Sequence, residues 1–277
     1  METTTNIIKL ILLSVIAVAL VVIMVFLISG KNIKFKTSNA ELIHDKSYTE
    51  EVKNIKVEST STDIEVLEND TNEINVKVYD EKEQKEVVSV KVDNDTLEIY
   101  DKKKNNFHFF NIGFIGKGPR IIISIPKDTK YNLDFETTSG DINVEKNMNN
   151  VNIHVTSGDI SLKNALDTKI KSTSGDIELG EVSNLNIHTT SGDVKAKKVN
   201  TKVNIELTSG DITINEVNLS KNSSIKAVSG DITIDKTNDI YIESHTTSGD
   251  EDVFNSNRKA TTELKIKTTS GDIEVNK

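Results

Sequence analysis

Thr173-Ser174-Gly175-Asp176-Ile177 is one copy of a pentapeptide that returns throughout the second half of this 277-residue chain. Ser-Gly-Asp recurs with its glycine at Gly140, Gly158, Gly175, Gly192, Gly210, Gly230, Gly249 and Gly271, in steps of 18, 17, 17, 18, 20, 19 and 22 residues. A period near this length marks a solenoid, in which one coil cannot bury its apolar face alone and stacked coils build a shared core. The flanking residues agree. Seven, five and three positions before the glycine stand Val151, Ile153 and Val155 in the second copy, Val203, Ile205 and Leu207 in the fifth, and Leu264, Ile266 and Thr268 in the eighth. Two and four positions after it stand Ile142 and Val144, Ile160 and Leu162, Ile177 and Leu179, Ile212 and Ile214, and Ile273 and Val275. Both runs alternate, which predicts two short strands per repeat with one face inward.

Ser-Gly-Asp is then the corner between strands. Glycine accepts positive φ or close approach of another coil, and serine and aspartate hydrogen-bond nearby amides. The prediction is an all-β, single-stack parallel β-solenoid (β-helix) of about 17–20-residue coils, preceded by an N-terminal transmembrane helix. Eight rungs at ~4.8 Å would extend roughly 38 Å.

Upstream, Leu10 to Ile28 is nineteen residues without a charge, enough for the ~30 Å of a bilayer core. A cleaved signal has a shorter apolar run with a small-x-small site just after it, whereas Ser38-Asn39-Ala40 lies well beyond this one, past three lysines. The reading is an uncleaved anchor. The domain division is a tail over 1–9, the anchor over 10–29, a linker over 30–47, an N-terminal β region with a capping loop over 48–130, and the repeats over 131–277. Within the β region Thr60-Ser61-Thr62-Asp63-Ile64 is the repeat motif with threonine in place of glycine, a degenerate first rung. Asn94-Asp95 reads as a hairpin turn. The stretch Phe107 to Phe114 holds four of the eight phenylalanines and reads as a loop folded over the open end of the stack, or as a contact for a membrane or partner.

The net charge is −9, and Arg120 and Arg258 are the only arginines, so no clustered cations serve a nucleic acid. Without cysteine there are neither disulfides nor thiolate metal sites. No tryptophan and 5% aromatic residues suit a narrow aliphatic core.

Candidate site residues follow from the columns a stack creates. Asp141, Asp159, Asp176, Asp193, Asp211, Asp231, Asp250 and Asp272 would form a vertical ladder of carboxylates. Either each caps corner amides, or the ladder holds calcium through several oxygens. The calcium-binding nonapeptide repeat has more glycines and another period, which favours the caps. In the seventh copy Glu251 and Asp252 follow Asp250 and put a carboxylate where isoleucine should point inward; this cluster is the place for a metal if one binds. Four positions before the glycine an outward column reads Glu136, His154, Lys171, His188, Glu206, Lys226, His245 and Lys267, its histidines at least ~10 Å apart and unable to share a zinc. Ser223 is read as exposed. No catalytic residue and no cofactor is expected, because no acid/base pair stands apart from the repeat background.

An apolar N-terminal helix followed by many Thr-Ser-Gly-Asp-Ile copies resembles the bacterial β-strand-repeat family of unknown function whose members are labelled adhesins, and which includes LiaG-like envelope-stress proteins. The likeness covers about residues 50 to 277. It implies a β-solenoid displayed at the cell envelope, with no catalytic residues to carry over. The expected partners are the membrane, through the N-terminal helix, and an envelope or surface ligand. Lys31, Lys34 and Lys36 after the helix, against Lys9 before it, oppose an outside C-terminus by the positive-inside rule.

The first functional reading is therefore a non-catalytic, membrane-anchored binding module with its repeats outside the cell. The second is a cytoplasmic-face scaffold that self-assembles as bactofilins do. Lys277 lies six residues beyond Gly271, which leaves little to cap the last rung and favours self-association there. A polysaccharide-active enzyme comes third, since aromatic rings for sugar stacking are scarce.

Overall fold

Alternating apolar and polar residues hold the chain extended on either side of every corner. The computed structural model describes residues 40–80, 88–101, 119–254 and 256–277, and among these every regular element is a strand. The anchor over 10–29 and the stretch Phe107 to Phe114 lie outside the described residues. In chain order the strands are β1 (Glu41–Tyr48), β2 (Asn54–Ser61), β3 (Asp63–Asn69), β4 (Ile74–Asp80), β5 (Val88–Asp93), β6 (Thr96–Asp101), β7 (Arg120–Pro126) and β8 (Asn132–Ser139). In the middle of the stack the two short strands expected per repeat merge. Thus β9 (Ile142–Ser157), β10 (Ile160–Ser174), β11 (Ile177–Ser191) and β12 (Val194–Ser209) each run from one corner to the next. The last coils break again into β13 (Ile212–Val217), β14 (Ser223–Ser229), β15 (Ile232–Ile234), β16 (Tyr241–Ser248), β17 (Glu251–Val253), β18 (Glu263–Ser270) and β19 (Ile273–Val275).

Parallel pairing sets like residue over like. Ile153, Ile170, Ile187, Ile205, Ile225 and Ile266 pair in succession, each no more than 1% exposed. Burying one such side chain stabilises by about 1.5–3 kcal/mol, so the column is a spine of the core. Hydroxyls take some inward places just before the corner. Buried Thr137, Ser172, Thr189 and Thr268 each donate to the carbonyl of the corner serine two residues on, at 3.0–3.4 Å. Ser223 also faces inward, contrary to its expected exposure: its Oγ accepts the Val203 N–H and donates to the Lys221 carbonyl. One lysine does so too. Lys146 is 2% exposed and its Nζ donates to the Lys127 carbonyl; burial lowers its pKa, and the Glu68 and Asp128 charges pull it partly back.

The degenerate rung is real. The Thr62 N–H donates to Ser139 O, the Ile64 N–H to Asp141 O, and the Asp63 carboxylate accepts the Asp141 N–H. Beyond it β6 lies on β2 and β7 on β3, still parallel. The outermost pairs, β5 on β6, β4 on β7 and β1 on β4, are antiparallel, so the solenoid is not parallel throughout. Asn94, at φ 53, makes the tight turn between β5 and β6. Strand β1 also occupies residues assigned to the 30–47 linker, because Ile43 and Tyr48 turn into the core while β1 pairs with β4.

At the other end the order of copies in space departs from their order in sequence. Strand β18 of the eighth copy pairs with β14 of the sixth on one side and with β16 of the seventh on the other. Beyond the corner β19 likewise lies between β15 and β17. The eighth copy is thus an interior rung, and the seventh is outermost. The 22-residue step from Gly249 to Gly271 carries the chain back one level. The expectation of an uncapped edge at the eighth copy is not met, since both of its edges are paired.

Deleting residues 263–277 therefore removes a rung from inside the stack. The expected outcome is rapid hydrogen exchange throughout β16 and β17, with β10 and β11 unchanged in protection. Equal loss along the whole stack would contradict this order.

Candidate ligand-binding face

The corners come first, because they place every outward column. All eight corner glycines have positive φ, from 110° to 150°. The rung beneath comes equally close: a Cβ on Gly192 would sit far inside van der Waals contact distance of the Gly175 carbonyl oxygen. Thr62, by contrast, is not among the residues of positive φ. Its side chain is tolerated for that reason.

Each corner aspartate reaches along the stack rather than out of it. The Asp141 N–H bonds the Asp63 Oδ1, and the same link joins Asp159 to Asp141, Asp176 to Asp159, Asp193 to Asp176, Asp211 to Asp193 and Asp231 to Asp211. It then runs from Asp272 to Asp231 and from Asp250 to Asp272, in spatial order, with every N···O distance between 2.8 and 3.0 Å. One oxygen of each carboxylate below the last rung is so committed to an amide. A charged acceptor makes this a stronger bond than a neutral one. This is the capping arrangement among the two read from the sequence.

The cluster Asp250, Glu251, Asp252 does not converge. Glu251 turns back to accept from the Ser244 hydroxyl at 2.6 Å and the Thr246 N–H at 2.8 Å, while the Asp250 N–H bonds Asp272. These bonds, that of Ser244 foremost, hold the Glu251 carboxyl below its ordinary pKa of 4.5. Among the described residues no group of three histidine, aspartate or glutamate side chains is arranged to hold a metal ion. The outward histidines stand as spaced: Lys171 separates His154 from His188, His188 reaches Glu206 at 3.3 Å, and His245 lies beside Lys267 on the outermost rung.

What sequence reasoning missed is the outer surface of the strands leading into the corners. Eight positions before the corner an asparagine column rises: Asn132 donates to Asn54, Asn150 to Asn132, and Asn184 to Asp167, at 2.7–3.0 Å. Six positions before it, Asp134 accepts from Asn152 at 2.6 Å. Further up, Lys169, Asn186, Lys202 and Asn204 make no side-chain hydrogen bond or ion pair among the described residues. Together with Asn150, Asn152, Asp167 and Asn184 they line a shallow outer groove of about 510 Å³ across four rungs, β9 to β12. Repeated asparagine at a fixed offset from the glycine was the signal available for it. Such a surface offers rigidly spaced amide donors and acceptors and two unneutralised ammonium groups, with Asp167 as its single carboxylate.

Residues 52–276 match the model of the family described as Toastrack DUF4097. No curated protein matches the chain. Among solved structures, an adhesin candidate from Bacteroides fragilis is 17% identical over 87% of this chain and 99% of its own, with a TM-score of 0.51, a likeness of fold. A candidate lipid-binding protein from Parabacteroides distasonis is 15% identical over 84% of this chain and 96% of its own, with a TM-score of 0.43. An adhesin candidate from Parabacteroides merdae is 14% identical over 87% and 98%, with a TM-score of 0.40.

The ladder has a sharp mutational signature. Asp193→Asn keeps an Oδ1 acceptor for the Asp211 N–H and relieves repulsion between neighbouring carboxylates, so its stability in urea should stay within about 0.5 kcal/mol of the parent. Asp193→Ala removes the acceptor and should cost about 1–2 kcal/mol. A ladder that holds cations would instead lose calcium-dependent stability equally in both variants. Glu251 adds a pH dependence. Because its pKa is lowered on folding, the stability it contributes is complete above about 4.5. That contribution drains as pH falls through the folded value, and the Thr246 amide should then lose protection.

Proposed function

The chain belongs to the Toastrack DUF4097 family, and from that premise we propose that it is a non-catalytic binding module of the cell envelope. Its apolar N-terminal segment tethers it to the membrane, and the solenoid stands outside. The observation that carries this reading is the outer groove, where Lys169, Asn186, Lys202 and Asn204 are left without partners on a rigid parallel sheet. The backbone of paired strands is already ordered, so a ligand has to freeze only the side chains it touches. Amides and ammonium groups in regular columns match a hydroxyl-rich, anionic polymer of the cell wall. Catalysis fits less well. Glycan hydrolysis needs two carboxylates about 5–10 Å apart, and the groove has Asp167 alone, engaged by Asn184.

Two measurements test the two halves of the proposal. Thr208 is exposed and the chain has no cysteine, so Thr208→Cys gives a single reactive thiol. An impermeant maleimide should label it on intact cells; labelling only after lysis would put the solenoid in the cytoplasm and favour the scaffold reading. For the groove, the full chain in mild detergent is sedimented with purified cell-wall sacculi. The double variant K169A/K202A should weaken co-sedimentation about tenfold, a loss of roughly 1.4 kcal/mol. Unchanged retention would remove the groove as the binding face.

A further inference from the structure

The outermost rung raises a problem that its own side chains answer. A parallel β-stack ends in a strand whose outward amides and carbonyls lack partners, which is a template for another strand. Among the described residues the end strand here is β16, since β18 covers only its inner side. The Tyr241 N–H and the Ser248 carbonyl point inward, bonding Thr262 O and the Gly271 N–H. Counted from Tyr241, alternation turns the N–H groups of Ile242, Ser244 and Thr246 outward, a phase that slips by one residue before Ser248.

Two of these three amides are already taken. The Thr246 N–H donates to Glu251 Oε1 at 2.8 Å, and the Ile242 N–H donates to Ser256 Oγ at 3.1 Å. The second Glu251 oxygen accepts from the Ser244 hydroxyl, which pins the carboxylate across the edge. Ser256 is held in turn, its hydroxyl also reaching the Ile242 carbonyl and the neighbouring Asn257 N–H bonding Ile240 O. Glu251 stands where other copies carry the inward isoleucine or valine. The exchange makes sense only at an end, where no rung follows to use that edge.

We propose that Glu251 and Ser256 form a stopper that closes the outer edge of β16 against strand addition, and that the partner kept out is a second copy of this chain. The edge and its mate are chemically identical: an opened β16 offers alternate free amides and carbonyls over eight residues to another β16 in the same state. The stopper leaves a carboxylate at the Thr246 amide and a hydroxyl at the Ile242 amide in place of strand pairing. A second copy approaching it meets backbone amides already bonded to Glu251 and Ser256 and a like carboxylate it must desolvate. The solenoid is thereby held to its own length at this end.

The test uses the full chain in detergent, with Thr247→Cys as the only thiol and copper phenanthroline as oxidant. The T247C chain should stay monomeric on a non-reducing gel. Adding E251A and S256A should give a disulfide-linked dimer whose yield rises with concentration. E251Q keeps an acceptor for the Thr246 amide and should remain at least fivefold less cross-linked than the E251A/S256A chain. Amide exchange separates an opened edge from a frayed one. If a second copy docks, the Gly271 amide stays protected and Thr246 regains protection as concentration rises. Absence of the dimer, cross-linking of T247C alone at the same rate, or loss of Gly271 protection at every concentration would each overturn the proposal.

Discussion

One close contact sets the rest of this molecule. At each corner the backbone of one rung passes directly over the carbonyl of the rung below, and only a residue without a Cβ fits that gap. Once the corner is that tight, the next residue comes within reach of its counterpart one rung away. An aspartate there can place an oxygen on the amide above it. The isoleucine that follows is then swung into the core over the previous isoleucine. Corner, ladder and core are one constraint expressed at three successive positions.

Much of this was legible in the chain. The eight glycines announced the coils, alternation announced which residues face inward, and Thr62 could be recognised as a corner lacking its glycine. The capping reading of the aspartates also followed from the chemistry of the residue. What a period cannot convey is spatial order. The eighth copy looks like any other in sequence, and its insertion beneath the seventh is decided by loops that carry the chain outward and back. Two hints were present, the 22-residue step and the acidic residues after Gly249, but neither says which rung lies beyond which. Strand β1 escaped notice because a register shift between Leu42 and His44 breaks its alternation. Ser223 and Lys146 escaped because a polar residue at an inward position is read as outward unless its partner, here a carbonyl, is known in advance.

The outer face was harder still. A column is a property of the stack, and a residue enters it only through register. Asn132, Asn150 and Asn184 lie in different repeats, yet rungs in register bring them close enough to bond a neighbour in the next coil. Where the column changes to Lys202, and the adjacent one to Lys169, Asn186 and Asn204, the self-satisfied ladder gives way to side chains free to meet a ligand. The scaffold thus converts small sequence differences between repeats into chemical differences along a line, and binding chemistry can vary without disturbing the corners.

The displaced eighth copy bears on how such a chain could lengthen. Repeat proteins are commonly pictured as growing by duplication at a terminus, each new unit docking on the last. Here a unit joined after the eighth would emerge from between two rungs already in contact, with no free surface to receive it. Growth past the seventh would meet the acidic edge instead. Duplications are accommodated most simply among the first to fifth copies, where sequence order and spatial order agree and steps of 17 or 18 residues already stack without loops. How the end is folded thus leaves the early, regular coils as the place where an added coil would stack without rearrangement.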